Sequence, residues 1–166
     1  MKRLILMRHA KSDWGDPGTP DHARPLNKRG RRAATALGHW LRAQGHLPDE
    51  ILCSTAARAQ ETLACLALSR APTLLDSLYL AEPPAMRAAL REARGDTVLM
   101  IGHNPGIAYF AASLVAVPPD HDRFDDYPTG ATLVTEFNIA AWPELQERTG
   151  RVIAFILPRA LPGTRA

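Results

Sequence analysis

Thr97-Val98-Leu99-Met100-Ile101-Gly102-His103-Asn104-Pro105-Gly106 is the stretch on which the fold turns. Gly95-Asp96 makes a turn before it, and five residues without a charge follow, four of them large and apolar. Such a short, continuous run reads as a strand buried on both faces, the habit of parallel sheets. Asn104-Pro105 then opens a helix carrying Ile107, Phe110, Ala111 and Leu114 at i, i+3, i+4 and i+7. The unit is therefore a buried strand, a polar corner and an amphipathic helix.

The same unit recurs upstream. Arg3 to Met7 is a second apolar run, ending in Arg8-His9. Pro17, Gly18, Pro20 and Pro25 mark a loop, and a helix follows from about Lys28 to Gln44. Ala33, Ala36, Leu37, Trp40 and Leu41 form its buried stripe, and Gly45 and Pro48 stop it. Glu50 to Cys53 reads as a strand, with Ser54 or Thr55 capping a helix whose Ala59, Leu63, Leu66 and Ala67 share a face. An extended piece at Thr73 to Leu75 precedes a helix begun by Pro83-Pro84, with Met86, Ala89, Leu90 and Ala93 inward. Val117 to Gly130, rich in Pro and Asp, reads as a surface loop. Ala131 to Phe137 and Arg151 to Leu157 complete the sheet. The alternation predicts one domain over 1–166, a three-layer α/β/α sandwich with a mostly parallel central sheet. The tail 158–166 reads as loosely ordered.

Composition narrows the function. The chain of 166 residues carries a net charge of +3 and no apolar run long enough to span a bilayer. Met1-Lys2-Arg3 before Leu4 to Met7 imitates a signal peptide, but the apolar stretch is too short. A cytoplasmic protein without membrane contact is expected. Cys53 and Cys65 have no metal-ligand spacing and read as buried free thiols. Arg24, Lys28, Arg29, Arg31 and Arg32 concentrate positive charge without interleaved aromatics. That pattern fits a solvated face, or a field drawing in an anion, better than a nucleic-acid surface.

In open α/β sheets ligands collect beyond the carboxyl ends of strands. Three polar clusters stand there: Arg8-His9, then Thr55 and Arg58, then Gly102-His103-Asn104. Taken singly, each has a plain reading, as an incidental histidine, an exposed helix charge or a cap. Taken together, they place two histidines and two arginines at one rim. A neutral imidazole attacks phosphorus, and arginine forks hold the equatorial oxygens of a phosphoryl group. A second histidine, if protonated, adds a donor to the developing charge. No acidic cluster is placed to hold a metal, so no cofactor is expected.

These motifs resemble those of the histidine phosphatase superfamily. Met7-Arg8-His9-Ala10-Lys11-Ser12 is similar to its Arg-His-Gly/Ala signature. Ser54-Thr55-Ala56-Ala57-Arg58-Ala59-Gln60-Glu61-Thr62 is similar to its second motif, and Ile101-Gly102-His103-Asn104-Pro105-Gly106 to its third. Arg24-Pro25-Leu26-Asn27-Lys28-Arg29-Gly30 resembles a segment of the short SixA-type phosphohistidine phosphatases. The resemblance spans roughly residues 2 to 157. It implies a phosphoglycerate mutase-like fold, His9 as the phosphorylated nucleophile, Arg8 and Arg58 on phosphate, and His103 beside them. It also implies Arg24 in the substrate pocket. Lys11, Ser12, Asp13 and Trp14 follow the first motif and are expected to border the pocket, as are Tyr79 and Thr129. Larger members carry a glutamate as general acid. Leu78-Tyr79-Leu80-Ala81-Glu82-Pro83 lacks its context, leaving Glu82 as either that acid or a helix cap. A weak acid suits a labile P–N bond.

The expected activity is metal-independent hydrolysis of a phosphate-bearing substrate, a phosphohistidine protein first. The alternatives are a small-molecule phosphomonoesterase of the same superfamily, a non-catalytic phosphate-binding or phosphoprotein-docking module, and a metallohydrolase using His9, Asp13, His22 and His103.

Overall fold

The computed structural model describes residues 1–164. Six strands, β1 (Lys2–Arg8), β2 (Glu50–Ser54), β3 (Thr73–Leu75), β4 (Thr97–Gly102), β5 (Thr132–Phe137) and β6 (Arg151–Ile156), form one sheet in the order β3-β2-β4-β1-β5-β6. The pairings β3–β2, β2–β4 and β4–β1 are parallel, while β5 and β6 add antiparallel pairs at one edge. Four helices flank it: α1 (Lys28–Ala43), α2 (Ala57–Leu66), α3 (Pro83–Arg91) and α4 (Gly106–Leu114).

Alternation along β1 shows why both faces are covered. Leu4 and Leu6 pack with Met86, Leu90, Ile107 and Phe110 of α3 and α4, whereas Ile5 and Met7 pack with Leu37, Leu41, Ala59 and Leu66 of α1 and α2. Successive strand side chains point to opposite faces, so a strand apolar at every position demands helices on both. The predicted three-layer α/β/α sandwich is what the chain forms.

Register positions the site. Arg8 at the end of β1 lies beside Gly102 at the end of β4, and His9 N donates to Gly102 O at 3.1 Å. The first and third motifs are thus adjacent residues of neighbouring strands. Gly30 brings α1 close behind them, since a Cβ there would lie 2.1 Å from Lys11 O.

Three readings need correction. Neither Ser54 nor Thr55 caps α2 at its N-cap position, which is Ala56; Ser54 Oγ accepts from Ala56 N, and Thr55 Oγ1 donates to Asp76. The loop before Gly130 is not merely a surface loop, because Phe124 and Tyr127 are buried in the core. Tyr127 Oη donates to Leu6 O and accepts from Leu133 N, pinning the loop to β1 and β5. Its composition misled because one aromatic anchor outweighs several Asp and Pro residues. Finally, Pro158–Ala160 forms a 3-10 turn against α1, and Thr164 Oγ1 bonds Pro158 O and Leu161 O. The tail is therefore ordered through 164, and residues 165–166 lie outside the described residues. Among the described residues no helix is long and apolar enough to cross a membrane.

Candidate active site

The ring of His9 is fixed by the backbone of the next residue. Its Nδ1 lies 2.7 Å from Ala10 O, and a carbonyl can only accept, so Nδ1 carries the proton. Nε2 is left with a lone pair, to which Arg58 Nε donates at 3.3 Å. Burial, reinforced by Arg8, Arg58 and Arg24, lowers the His9 pKa from 6.5 to about 4, against the pull of the Ala10 bond. The ring is neutral at pH 7 and presents its lone pair, the state a nucleophile toward phosphorus requires.

Arg58 sits in the first turn of α2 and is 3% exposed. A cation near a helix N-terminus is unfavourable without an anion nearby. Asp21 supplies that anion: Arg58 Nη2 donates to its Oδ2 at 3.1 Å and Nη1 to its carbonyl at 2.7 Å. Thr62, one turn on, donates to Arg58 O and accepts from Ala10 N, tying α2 to the residue after His9.

His103 lies across from His9, ring centroids 5.1 Å apart. Its Nε2 is 2.8 Å from Ser54 Oγ, while Nδ1 is buried with no hydrogen-bond partner among the described residues. Ser54 Oγ already accepts from Ala56 N. With the Ser54 hydroxyl donating to Nε2, the ring proton sits on Nδ1 as a donor awaiting an acceptor. Burial, then His9 and Arg58, lowers the His103 pKa to about 3. The second histidine is thus neutral at pH 7, and the donor that the sequence reading made conditional on protonation is available only from the neutral ring.

Arg8 donates from Nη1 to Tyr127 O, and its Nε is likewise buried and partnerless. Burial, then the charge of Arg58, holds its pKa below the usual arginine value. Unpartnered buried polar atoms are rare and costly, and the two residues that carry these, Arg8 and His103, line one hollow, a place fit for an oxyanion. That hollow has a volume of about 280 Å³ and is lined by Arg8, His9, Arg58 and His103 with Lys11, Ser12, Arg24 and Thr129. A larger apolar recess of about 570 Å³ beside β3 and α3 holds no histidine or arginine. Buried cations, not size, single out the first.

The expected border residues divide. Lys11, Ser12, Trp14 and Thr129 line the hollow, and Arg24, 7% exposed, lies in it with its guanidinium 3.6 Å over the Trp14 ring. Asp13 instead bonds Gly15 N within its own turn. Tyr79 reaches the wall by donating to Asp21 and setting its ring edge-on to His103. Glu82 is not brought in: it is the exposed N-cap residue of α3, makes no capping bond, and does not line the hollow, where Leu80 stands. The carboxylate present is Asp21, which the sequence reading missed; the Asp21-x-x-Arg24 spacing was its available signal. Among the described residues no three His, Cys, Asp or Glu side chains gather as a metal-binding group, so His9, Asp13, His22 and His103 do not form one.

Fold and hollow define an α/β protein that can seat a tetrahedral oxyanion against a neutral imidazole lone pair. The model of the histidine phosphatase superfamily (branch 1) matches residues 4–79. An uncharacterised protein of Mycobacterium tuberculosis is 34% identical over 161 residues, covering 92% of this chain and all of the relative. A solved structure described as a candidate phosphohistidine phosphatase SixA from Nakamurella multipartitia is 34% identical, with a TM-score of 0.77 over 95% of this chain and 96% of that one. Phosphohistidine phosphatase SixA of Escherichia coli is 28% identical over 120 residues, 68% of this chain and 73% of its own. The chain belongs to the histidine phosphatase superfamily, and its fold is phosphoglycerate mutase-like.

Proposed function

We propose that the protein is a phosphatase working through a phosphohistidine intermediate on His9, with a protein phosphohistidine as substrate. His9 Nε2 attacks phosphorus, the bond to the leaving group breaks with its electron pair, and phospho-His9 forms with the proton retained on Nδ1 and donated to Ala10 O. Arg8, Arg58 and the His103 Nδ1–H receive the equatorial oxygens, and Arg24, Lys11 and Ser12 border them. Water then displaces His9 from phosphorus, and orthophosphate leaves. The single observation that supports this most is the His9 Nδ1–Ala10 O bond, which leaves the Nε2 lone pair free of a proton beside Arg58 Nε, in a hollow that Arg8 and His103 also line.

The leaving group favours phosphohistidine over alkyl esters. An alkoxide needs a proton from an acid, and the carboxylate on the wall, Asp21, has its pKa lowered to about 2, chiefly by its bond from Tyr79. An imidazole departs without one. The likeness to the SixA proteins of other organisms points the same way. A cytoplasmic location and a single catalytic domain complete the reading.

The test is phosphate release by wild type and His9→Ala from a phosphohistidine protein and from small phosphate esters, with and without chelator. Preference for phosphohistidine, lost in His9→Ala and indifferent to chelator, is expected. Preference for esters would leave the nucleophile and replace the substrate. Full activity in His9→Ala would overturn the mechanism.

A further inference from the structure

A carboxylate on the wall of a phosphate pocket is electrostatically out of place. It repels the phosphoryl dianion and occupies forks that phosphate would use. Asp21 nonetheless bonds both buried arginines of the pocket wall: Arg24 Nη2 lies 2.7 Å from Oδ1 and Arg58 Nη2 3.1 Å from Oδ2. Tyr79 Oη donates to the same Oδ2. Four bonds from three side chains therefore hold it where it stands, counting the Arg58 bond to its backbone carbonyl.

Burial shows which side of the hollow it occupies. His9, His103 and Arg58 are the buried floor, whereas the Asp21 side chain is 44% exposed and stands at the mouth with the exposed Trp14 and Leu80. In-line displacement puts the leaving group opposite the nucleophile. With His9 on the floor, the leaving group faces the mouth, and Asp21 is the charged residue with an exposed carboxylate there.

We propose that Asp21 is a specificity-determining residue: its carboxylate accepts a hydrogen bond from a leaving group that carries an N–H, as the distal nitrogen of phosphohistidine does, and rejects leaving groups that carry negative charge. The inference rests on the phosphatase reading above and names the leaving-group chemistry it prefers. Held against a carboxylate, the distal nitrogen of the substrate ring keeps its proton. When the P–N bond breaks, the electron pair returns to the proximal nitrogen and the ring departs as neutral imidazole. The His9 Nε2–P bond forms in its place, and no proton changes owner. An ionised carboxylate thus serves a phosphohistidine better than an acid would. The same charge opposes a carboxylated ester and also free orthophosphate, so it favours product release.

The experiment compares wild type, Asp21→Asn and Asp21→Glu on three substrates: a phosphohistidine peptide, p-nitrophenyl phosphate, whose leaving group has no N–H, and phosphoglycolate, whose leaving group bears a carboxylate. Relative to p-nitrophenyl phosphate, Asp21→Asn lowers kcat/KM for phosphohistidine and raises it for phosphoglycolate, each by about tenfold, the scale of one partly screened charge a few ångströms away. Asp21→Glu restores the wild-type order. Orthophosphate binding, measured by calorimetry without turnover, tightens in Asp21→Asn. An equal fall on all three substrates, unchanged ratios, or weaker orthophosphate binding would reduce Asp21 to a brace for the arginines and overturn the proposal while leaving the phosphatase reading intact. Absence of activity on every substrate in wild type would overturn both.

Discussion

Acidification should unfold this protein through its two active-site imidazoles. His9 and His103 are buried and neutral, with pKa values lowered from 6.5 to about 4 and about 3. A depressed folded-state pKa means that the unfolded chain binds more protons over the intervening range. Stability is then complete above pH 6.5 and falls as pH drops toward the folded-state values. At pH 5 the unfolded state holds about one more proton per ring, a slope of roughly 1.3 kcal/mol per pH unit for each. Between pH 8 and pH 5 each ring accumulates about 2 kcal/mol and the pair about 4 kcal/mol, a large part of a typical domain's stability. His46, buried and also shifted down, titrates with the same sign, and Asp21 titrates below this window. The assay is equilibrium urea unfolding at steps from pH 8 to pH 5 for wild type and the His9→Asn/His103→Asn double variant. His46 is common to both, so the difference in slope isolates the pair. The double variant should lose about 4 kcal/mol less than wild type over that range. Equal losses in the two proteins would refute the claim that the site's histidines are held neutral against their solution preference.

Other substitutions test the scaffold around the site. Gly30→Ala drives a Cβ to 2.1 Å from Lys11 O, against backbone that cannot rotate away; a loss of about 1–3 kcal/mol in urea unfolding, with a fall in kcat/KM as the Lys11–Ser12 segment moves, is expected. Ser54→Ala strips the His103 ring of its partner and should lower kcat/KM about tenfold, less than the hundredfold or more of deleting an oxyanion donor outright. An unchanged rate would show that the Ser54 bond does not orient the ring. Tyr127→Phe removes the buried hydroxyl that bridges Leu6 O and Leu133 N. A cost of about 1–3 kcal/mol in thermal or urea unfolding follows from leaving those groups unpaired, and no change would mean they re-pair across the strands.

The layers of this fold are legible because burial on both faces leaves strands with no polar alternation, as in Leu4-Ile5-Leu6-Met7 and Val98 to Ile101. The helices between them declare themselves by their apolar stripes. What composition concealed was anchoring by single residues. Phe124 and Tyr127 lie among Asp, Pro and His, yet both are buried, and the Tyr127 carbonyl receives bonds from Arg8 and Asn104. A loop that reads as solvent-facing on average therefore forms part of the wall behind the phosphate pocket.

The site divides along the same line. His9, Arg8, Arg58 and His103 are readable because each lies at the carboxyl end of a strand or within four residues of it, and parallel pairing brings strand ends together whatever their separation in sequence. Asp21 follows no strand. It lies in a Pro- and Gly-rich loop, and only folding sets it against Arg24 and Arg58. Glu82, which the family resemblance leaves as either an acid or a helix cap, does not line the hollow, and Asp21 is no substitute acid. A carboxylate bonded to two arginines and a tyrosine has lost its affinity for a proton, so it cannot donate one to a departing alkoxide. It can accept a hydrogen bond from a leaving group that already carries its proton. Two buried arginines also need a fixed anion to remain folded in place, and a carboxylate from a neighbouring loop meets that need without filling the floor where phosphorus must sit. The residue that keeps the arginines in the protein is thus the one that discriminates among what they bind, and its position at the mouth makes leaving-group charge the property on which substrates are sorted.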